Sequence, residues 1–152
     1  MNNVNRLERP VLLSTLWIVL TLNYLYCDVL GLNDPAHLIA LQNGSLGGLP
    51  FSPSALVAAG VLMQIPIAMV LLSRLLKRGL NRGLNATASV AMIAVQGASL
   101  FLGTPPTPVY FFFSIIEIAL LLAILFCVMT WRRSEDPALA HAHPISVERA
   151  VT

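Results

Sequence analysis

The sequence predicts an all-α protein, a four-helix transmembrane bundle, from three observations. Four apolar segments, near residues 10–31, 53–76, 85–103 and 108–131, each run roughly 19–24 residues, about what one helix needs to cross a hydrocarbon core. The 152-residue chain is 57% hydrophobic and only 11% charged, whereas soluble domains carry about 25% charged residues. So few charges cannot cover a water-soluble surface, so lipid must replace water over most of it. The third observation is the placement of the basic residues.

Lysine and arginine flank the four segments on one side only. The loops at 32–52 and 104–107 contain no Lys or Arg. The positive-inside rule therefore predicts that both termini and the middle loop are cytoplasmic, in a multi-pass protein of the cell inner (plasma) membrane. The basic residues that carry this prediction are Arg6, Arg9, Arg74, Lys77, Arg78, Arg82, Arg132 and Arg133.

The first segment reads as a retained helix and not as a cleaved signal peptide. Its apolar stretch is too long for a typical signal core, and no A-x-A-like cleavage site follows it. Pro10 suits the first helical turn, and Gly31 suits the end. Asp34 and Pro35 then predict a short amphipathic helix in the outer loop, closed by Asn43 and Gly44.

The remaining segments carry their own boundary signals. A capping residue precedes proline at Ser52-Pro53 and again at Thr107-Pro108, which marks the outer starts of spans two and four. Pro66 predicts a bend in the middle of span two. For span three, Asn81 or Asn85 is a candidate N-cap.

Side-chain size predicts different roles for spans three and four. Span three is rich in Ala and Gly, which predicts a central place in the packing. Span four carries Phe111, Phe112 and Phe113 and predicts a wide lipid-facing surface.

The chain divides into a membrane domain and a tail. We expect residues 1–133 to form the four-span domain and residues 134–152 to be a disordered cytoplasmic tail. The tail has little of the periodic pattern of apolar residues that a packed helix or strand needs. His141 and His143 are poor metal ligands without further partners. We therefore expect no metal and no cofactor. The net charge of +2 also argues against a nucleic-acid partner.

Polar residues inside the spans lie mainly in the predicted outer halves. Helical spacing places Tyr110, Ser114 and Glu117 on one face of span four, and the other spans each offer a polar face. If each face points inward, they form one outward-facing polar site, while the inner halves are nearly devoid of polar groups. The candidate site residues are Glu117, Gln64, Gln96, Asn23, Tyr110, Ser114 and Asp28.

Glu117 is the deepest and costliest of these groups. A charged carboxylate at the centre of a bilayer costs about 2.5–3.5 kcal/mol on insertion scales. Residues 10–73 and 83–131 contain no Lys or Arg to pair with it. We therefore expect Glu117 to be protonated and bonded to Gln64, Gln96 or Tyr110. Two interpretations remain open: a site for a small ligand or proton, or a polar contact that only holds helices together.

Three stretches resemble a known family. These are LSTLWIVLTLNYLYCDVLGL at 13–32, IPIAMVLLSRLLKRGLNR at 65–82 and YFFFSIIEIALLLAILFCVMTW at 110–131. They are similar to the DUF6326 type of small bacterial four-helix membrane proteins. The resemblance implies a four-span fold and implies no activity. A looser likeness to DoxX-type proteins concerns the fold alone.

Two functions are compatible with these features. The first is a non-enzymatic membrane component, an accessory subunit or small oligomeric carrier, that uses the polar site. The second is a membrane enzyme with Glu117 and Asp28 as acid and base, although helix rise separates them by about 10 Å. A homo-oligomer or a membrane-protein partner would fit the first. We also expect Arg74, Lys77, Arg78 and Arg82 to contact anionic headgroups.

Overall fold

The computed structural model describes residues 8–46, 49–50, 52–101 and 105–131. It confirms the all-helical prediction, with four helices long and apolar enough to cross a membrane. The predicted tail lies outside the described residues. The helices are α1 Arg9–Gly31, α2 Pro35–Gln42, α3 Pro53–Leu75, α4 Arg78–Phe101 and α5 Pro108–Met129.

Helix starts in the sequence were predicted correctly where a capping residue precedes proline. The side chains of Asp34, Ser52 and Thr107 each accept a hydrogen bond from a backbone N–H two or three residues later, at 3.0–3.2 Å. Each bond satisfies one of the donors that a helix leaves free at its start. The short helix α2 is therefore where the sequence placed it.

A small hairpin between α2 and α3 was not predicted. Strand β1, Ser45–Leu46, pairs antiparallel with β2, Leu49–Pro50. Gly44 precedes it with a φ of 72°, in the left-handed region that glycine reaches without a steric penalty. Two residues per strand are too few to leave an alternating pattern in the sequence.

The start of span three was predicted wrongly. Helix α4 begins at Arg78 and not near residue 85, so only Leu76 and Lys77 separate it from α3. Asn81 and Asn85 lie inside the helix, fully buried, and do not cap its start. The Asn81 amide instead donates at 2.6 Å to the Ser73 carbonyl oxygen in the last turn of α3. The glycines and asparagines of this stretch have low helix propensity, but tertiary packing of a polar face overrides that preference.

The four long helices form a bundle in which neighbours run antiparallel. Helix α1 packs on α3 and α5, and α4 packs on α5 and less extensively on α3. Side-chain hydrogen bonds join the end of α3 to the starts of α1 and α4, and both ends of α4 to α5. The apolar core contains Leu13, Trp17, Leu20, Tyr24, Met69, Met92, Leu121, Ile124, Val128 and Trp131.

The bundle therefore has two distinct ends. The basic end contains the starts of α1 and α4 and the ends of α3 and α5. The loop end contains α2 and the hairpin. Helices α1 and α5 bury more of their length than α4, so the prediction that span three is central is wrong. Helix α3 is the least buried, with only Pro66, Met69 and Ser73 in the interior.

Candidate functional site

Three of the predicted site residues meet between α4 and α5 at the loop end. The Gln96 amide donates to Ser114 Oγ at 2.8 Å, and Ser114 Oγ donates to the Tyr110 carbonyl oxygen at 2.8 Å. The Tyr110 hydroxyl donates to Ser99 Oγ at 2.7 Å, and Ser99 donates back to the Gln96 carbonyl at 2.7 Å. These bonds close a polar ring that ties the two helices together.

Glu117 lies three residues beyond Ser114 on the same face of α5 and is only 2% exposed. Its Oε1 atom is buried and has no hydrogen-bond partner among the described residues. The expected bonds from Gln96 and Tyr110 are not formed: the Gln96 amide donates to Ser114 and the Tyr110 hydroxyl donates to Ser99. Glu117 therefore sits beside the polar ring without joining it.

Helix α1 brings two more unpartnered polar atoms. The buried Asn23 Oδ1 and Tyr24 hydroxyl have no hydrogen-bond partner within the part of the chain that is described. Tyr24 and Tyr110 lie within electrostatic range of Glu117. The Glu117 site, as we call Glu117 with Asn23, Tyr24 and Tyr110, is thus assembled from the two most buried helices.

Two predicted site residues lie outside this group. Gln64 is exposed on α3, so it does not reach the interior. The pattern misled because α3 is apolar on all sides, and spacing alone does not then identify the inward face. Asp28 is exposed near the end of α1, where its charge acts on Glu117 and is influenced by His37.

A buried polar cluster at the basic end was missed. Asn85 Oδ1 accepts from Trp17 Nε1 at 2.7 Å and from Ser73 Oγ at 3.2 Å, and its amide donates to Asn81 Oδ1 at 2.6 Å. The prediction that this half lacks polar groups is therefore wrong. One signal could have found it: Asn81, Asn85 and Ser89 follow helical spacing that continues the buried face of α4 toward Gln96.

Three arginines near this cluster belong to helices α3 and α4 and not to the loop predicted between them. Arg74 Nε donates to Ser14 Oγ at 3.0 Å. Arg78 Nη2 donates to the Trp131 carbonyl oxygen at 2.8 Å, and Arg82 Nε donates to the Val128 carbonyl at 3.1 Å. Lys77 is exposed between α3 and α4.

The described residues contain no group of three or more His, Cys, Asp or Glu able to hold a metal ion. His141 and His143 lie outside them. Cys27 and Cys127 are both free thiols.

Residues 4–138 match a family of unknown function, DUF6326. The chain belongs to the DUF6326 family. No curated protein and no solved structure matches the chain. Membership confirms the resemblance seen in the sequence and leaves the DoxX-like likeness an expectation. For this DUF6326 member, function must be inferred from its two polar regions.

Proposed function

We propose that this DUF6326 member is a non-enzymatic multi-pass membrane component with a proton-accepting site around Glu117. One observation carries the proposal: a carboxyl group, 2% exposed, with a buried oxygen that no described residue bonds. Such a group is costly as a structural contact, because hydrogen bonds are what repay polar burial. Buried ionisable residues in membrane segments commonly mark proton or ion sites.

A proton suits the surroundings of Glu117 better than a larger ligand. The chain has no Lys or Arg between residues 10 and 73 or between 83 and 131, so no lysine or arginine side chain from these segments can pair with the carboxylate. A proton neutralises it and needs no cavity. A groove of the protein lies at the opposite end of the bundle, beside Arg78 and Arg82.

The proposed orientation makes this site face outward. Arg74, Lys77, Arg78 and Arg82 all lie at the basic end. The positive-inside rule places that end in the cytoplasm and the loop end outside. Protons would then reach Glu117 from the side of Asp28, whose carboxylate is exposed near the end of α1.

The enzymatic alternative has less support. An acid and a base must both reach one substrate. Asp28 is exposed, whereas Glu117 is enclosed between α1 and α5. Although the Asp28 charge acts on Glu117, one carboxyl group is exposed and the other is buried, an arrangement that does not favour an acid and base acting on one substrate.

Association with a second copy belongs to the same proposal. Gln64 is exposed near the middle of α3, the least buried apolar helix. An amide facing hydrocarbon gains by finding a partner. Because an amide both donates and accepts, the same residue on a two-fold related copy would satisfy it. This supports a small oligomer assembled through α3.

Hydrogen exchange tests the proton site. Backbone exchange of α1 and α5, corrected for intrinsic rates, is compared at about pH 6 and about pH 9 in vesicles. We expect the wild type to open at the higher pH, because an ionised Glu117 is disfavoured in the interior. Glu117→Gln should keep the low-pH pattern at both values.

Asp28→Asn is the matched control, since it removes an exposed carboxyl from the same end. It should respond to pH as the wild type does. If the wild type exchanges identically at both pH values, Glu117 is only a contact between helices and the proposal fails. If Asp28→Asn alone abolishes the response, the proton-accepting group is Asp28.

A further inference from the structure

A groove separate from the Glu117 site opens between α4 and α5 at the basic end. Its volume is about 340 Å³. It is lined by Arg78, Gly79, Arg82, Gly83, Ala86, Val128 and Met129. We call it the arginine groove. The proton-accepting role proposed above does not involve any of these residues.

The arginine groove has a cationic mouth and an apolar floor. Arg78 and Arg82 are four residues apart and so lie on one face of α4. A Cβ built on Gly79 or Gly83 would meet no heavy atom within 4 Å, so the glycines leave the floor open. Ala86, one turn further along, extends the floor toward the middle of the helix, and α5 supplies the apolar wall.

The two guanidinium groups are held in place but not saturated. Arg82 is anchored by one bond to the Val128 carbonyl oxygen in the last turn of α5. Arg78 is anchored by one bond to the Trp131 carbonyl oxygen just beyond α5, and its guanidinium lies 6.0 Å from the centre of the Trp131 ring. A guanidinium has five N–H donors, and only one nitrogen of each arginine is hydrogen-bonded among the described residues. Neither arginine forms an ion pair within the described part of the chain. The first turn of α4 adds its positive dipole end at the same place.

We infer that the arginine groove binds one anionic phospholipid, with the phosphate between Arg78 and Arg82 and an acyl chain over Gly83 and Ala86. The unused, positioned donors call for a group with several acceptor oxygens, and a phosphate matches a guanidinium well. The apolar floor distinguishes a lipid from a free phosphate ion. Binding in a defined groove also differs from a general attraction of anionic headgroups to the basic end, because the general attraction would involve Lys77 as much as Arg78 and Arg82.

Native mass spectrometry of the purified full-length chain tests this inference. The protein is titrated with phosphatidylglycerol and, separately, with phosphatidylcholine of the same acyl chains. We expect the wild type to retain the first lipid preferentially. Arg82→Gln should weaken that binding at least about tenfold, since it removes charge-assisted hydrogen bonds.

Two further variants separate a groove from general electrostatics. Gly83→Leu keeps every charge and fills the floor, and it should weaken phosphatidylglycerol binding as strongly as Arg82→Gln does. Lys77→Gln is the matched control, because it removes one exposed charge at the same end but lies outside the groove. It should weaken binding by about fivefold at most. The circular dichroism spectrum should be unchanged in both variants. Lys77→Gln should unfold at the same temperature as the wild type, and Gly83→Leu at the same or a higher temperature, because leucine favours a helix more than glycine does.

Three results would overturn the inference. If Gly83→Leu binds lipid as the wild type does, or if Lys77→Gln equals Arg82→Gln, the attraction is diffuse. If inorganic phosphate, and not chloride at equal ionic strength, displaces the lipid from the wild type and Gly83→Leu alike, the site takes a free anion. The predicted tail carries two acidic residues, Glu135 and Asp136, that could compete with a phosphate for the arginines. If Glu135→Gln with Asp136→Asn raises lipid binding more than tenfold, the occupant of the groove is the tail and not a lipid.

Discussion

Asn85 shows how a single residue can organise the basic end. Its amide connects α1 through Trp17 and α3 through Ser73, and it bonds Asn81 one turn earlier on α4. All four side chains are fully buried. Satisfied polar groups of this kind specify which helices meet, because any other arrangement leaves donors without acceptors.

Removing the Asn85 side chain should therefore lower stability. Asn85→Ala leaves the Trp17 indole N–H and the Ser73 hydroxyl without their acceptor, at an expected cost of about 1–3 kcal/mol. The measurement is reversible unfolding in mixed detergent. Asn43→Ala removes an exposed asparagine whose side chain forms no hydrogen bond among the described residues, and it should change stability by less than about 0.5 kcal/mol. Equal effects of the two variants would show that the buried cluster contributes nothing.

The sequence predicts which polar residues of α4 and α5 turn inward better than it predicts their hydrogen-bond partners. The spacing of Gln96, Tyr110, Ser114 and Glu117 places all four on inward faces, and the structure buries three of them and half-buries Tyr110. The partners of Ser114 and Tyr110 could not be predicted, because they depend on rotation of α4 about its axis. For Gln64 even the direction of the side chain could not be predicted, because a uniformly apolar helix carries no signal for its inward face.

At the scale of elements, local chemistry decided what could be predicted. Three helix starts carry a capping side chain followed by proline, and these three were predicted correctly. Helix α4 lacks that signal, and its start was placed about two turns too late. The two-residue strands of the hairpin were missed for the same reason. Burial of a polar face, which is a tertiary effect, forms the first turns of α4.

Pro66 gives a test at this scale, because it lies buried inside α3. A proline in a helix interior removes one backbone hydrogen bond. Pro66→Ala restores that bond in an apolar environment, so we expect equal or higher thermal stability, measured by unfolding in detergent. Met69→Ala, at a buried position on the same face, should lower stability by about 2–5 kcal/mol. A comparable loss in Pro66→Ala would show that the packing requires proline.

The two polar regions of the molecule lie at opposite ends of the bundle, so its orientation in the membrane decides which of the two regions faces the cell interior. We predict that the basic end is cytoplasmic. In a background without Cys27 and Cys127, Asn43→Cys should react with an impermeant thiol reagent on intact cells, whereas Lys77→Cys should react only after lysis. Both positions are exposed. Asn81, although basic residues flank it, is unsuitable because it is buried. Labelling of Lys77→Cys on intact cells would reverse the orientation.

Oligomerisation is the second property of the whole molecule. We predict that Gln64→Leu converts a dimer in lipid into a monomer, because it removes the amide pair at the middle of α3. Energy transfer between labelled copies in bilayers measures this at matched protein-to-lipid ratios. Leu122→Ala alters an exposed position on α5 and should leave the dimer intact. A wild type that is already monomeric would refute the proposed α3 contact.

The central claim is that Glu117 is a buried, protonated carboxyl group, and infrared spectroscopy tests it most directly. The difference between wild type and Glu117→Gln in bilayers isolates its carboxyl band. We predict a protonated C=O band at neutral pH, with Glu117→Gln folded normally and Glu117→Leu also folded. Loss of the protonated band on raising the pH through about 4, the ordinary pKa of a solvated glutamate, would contradict the claim.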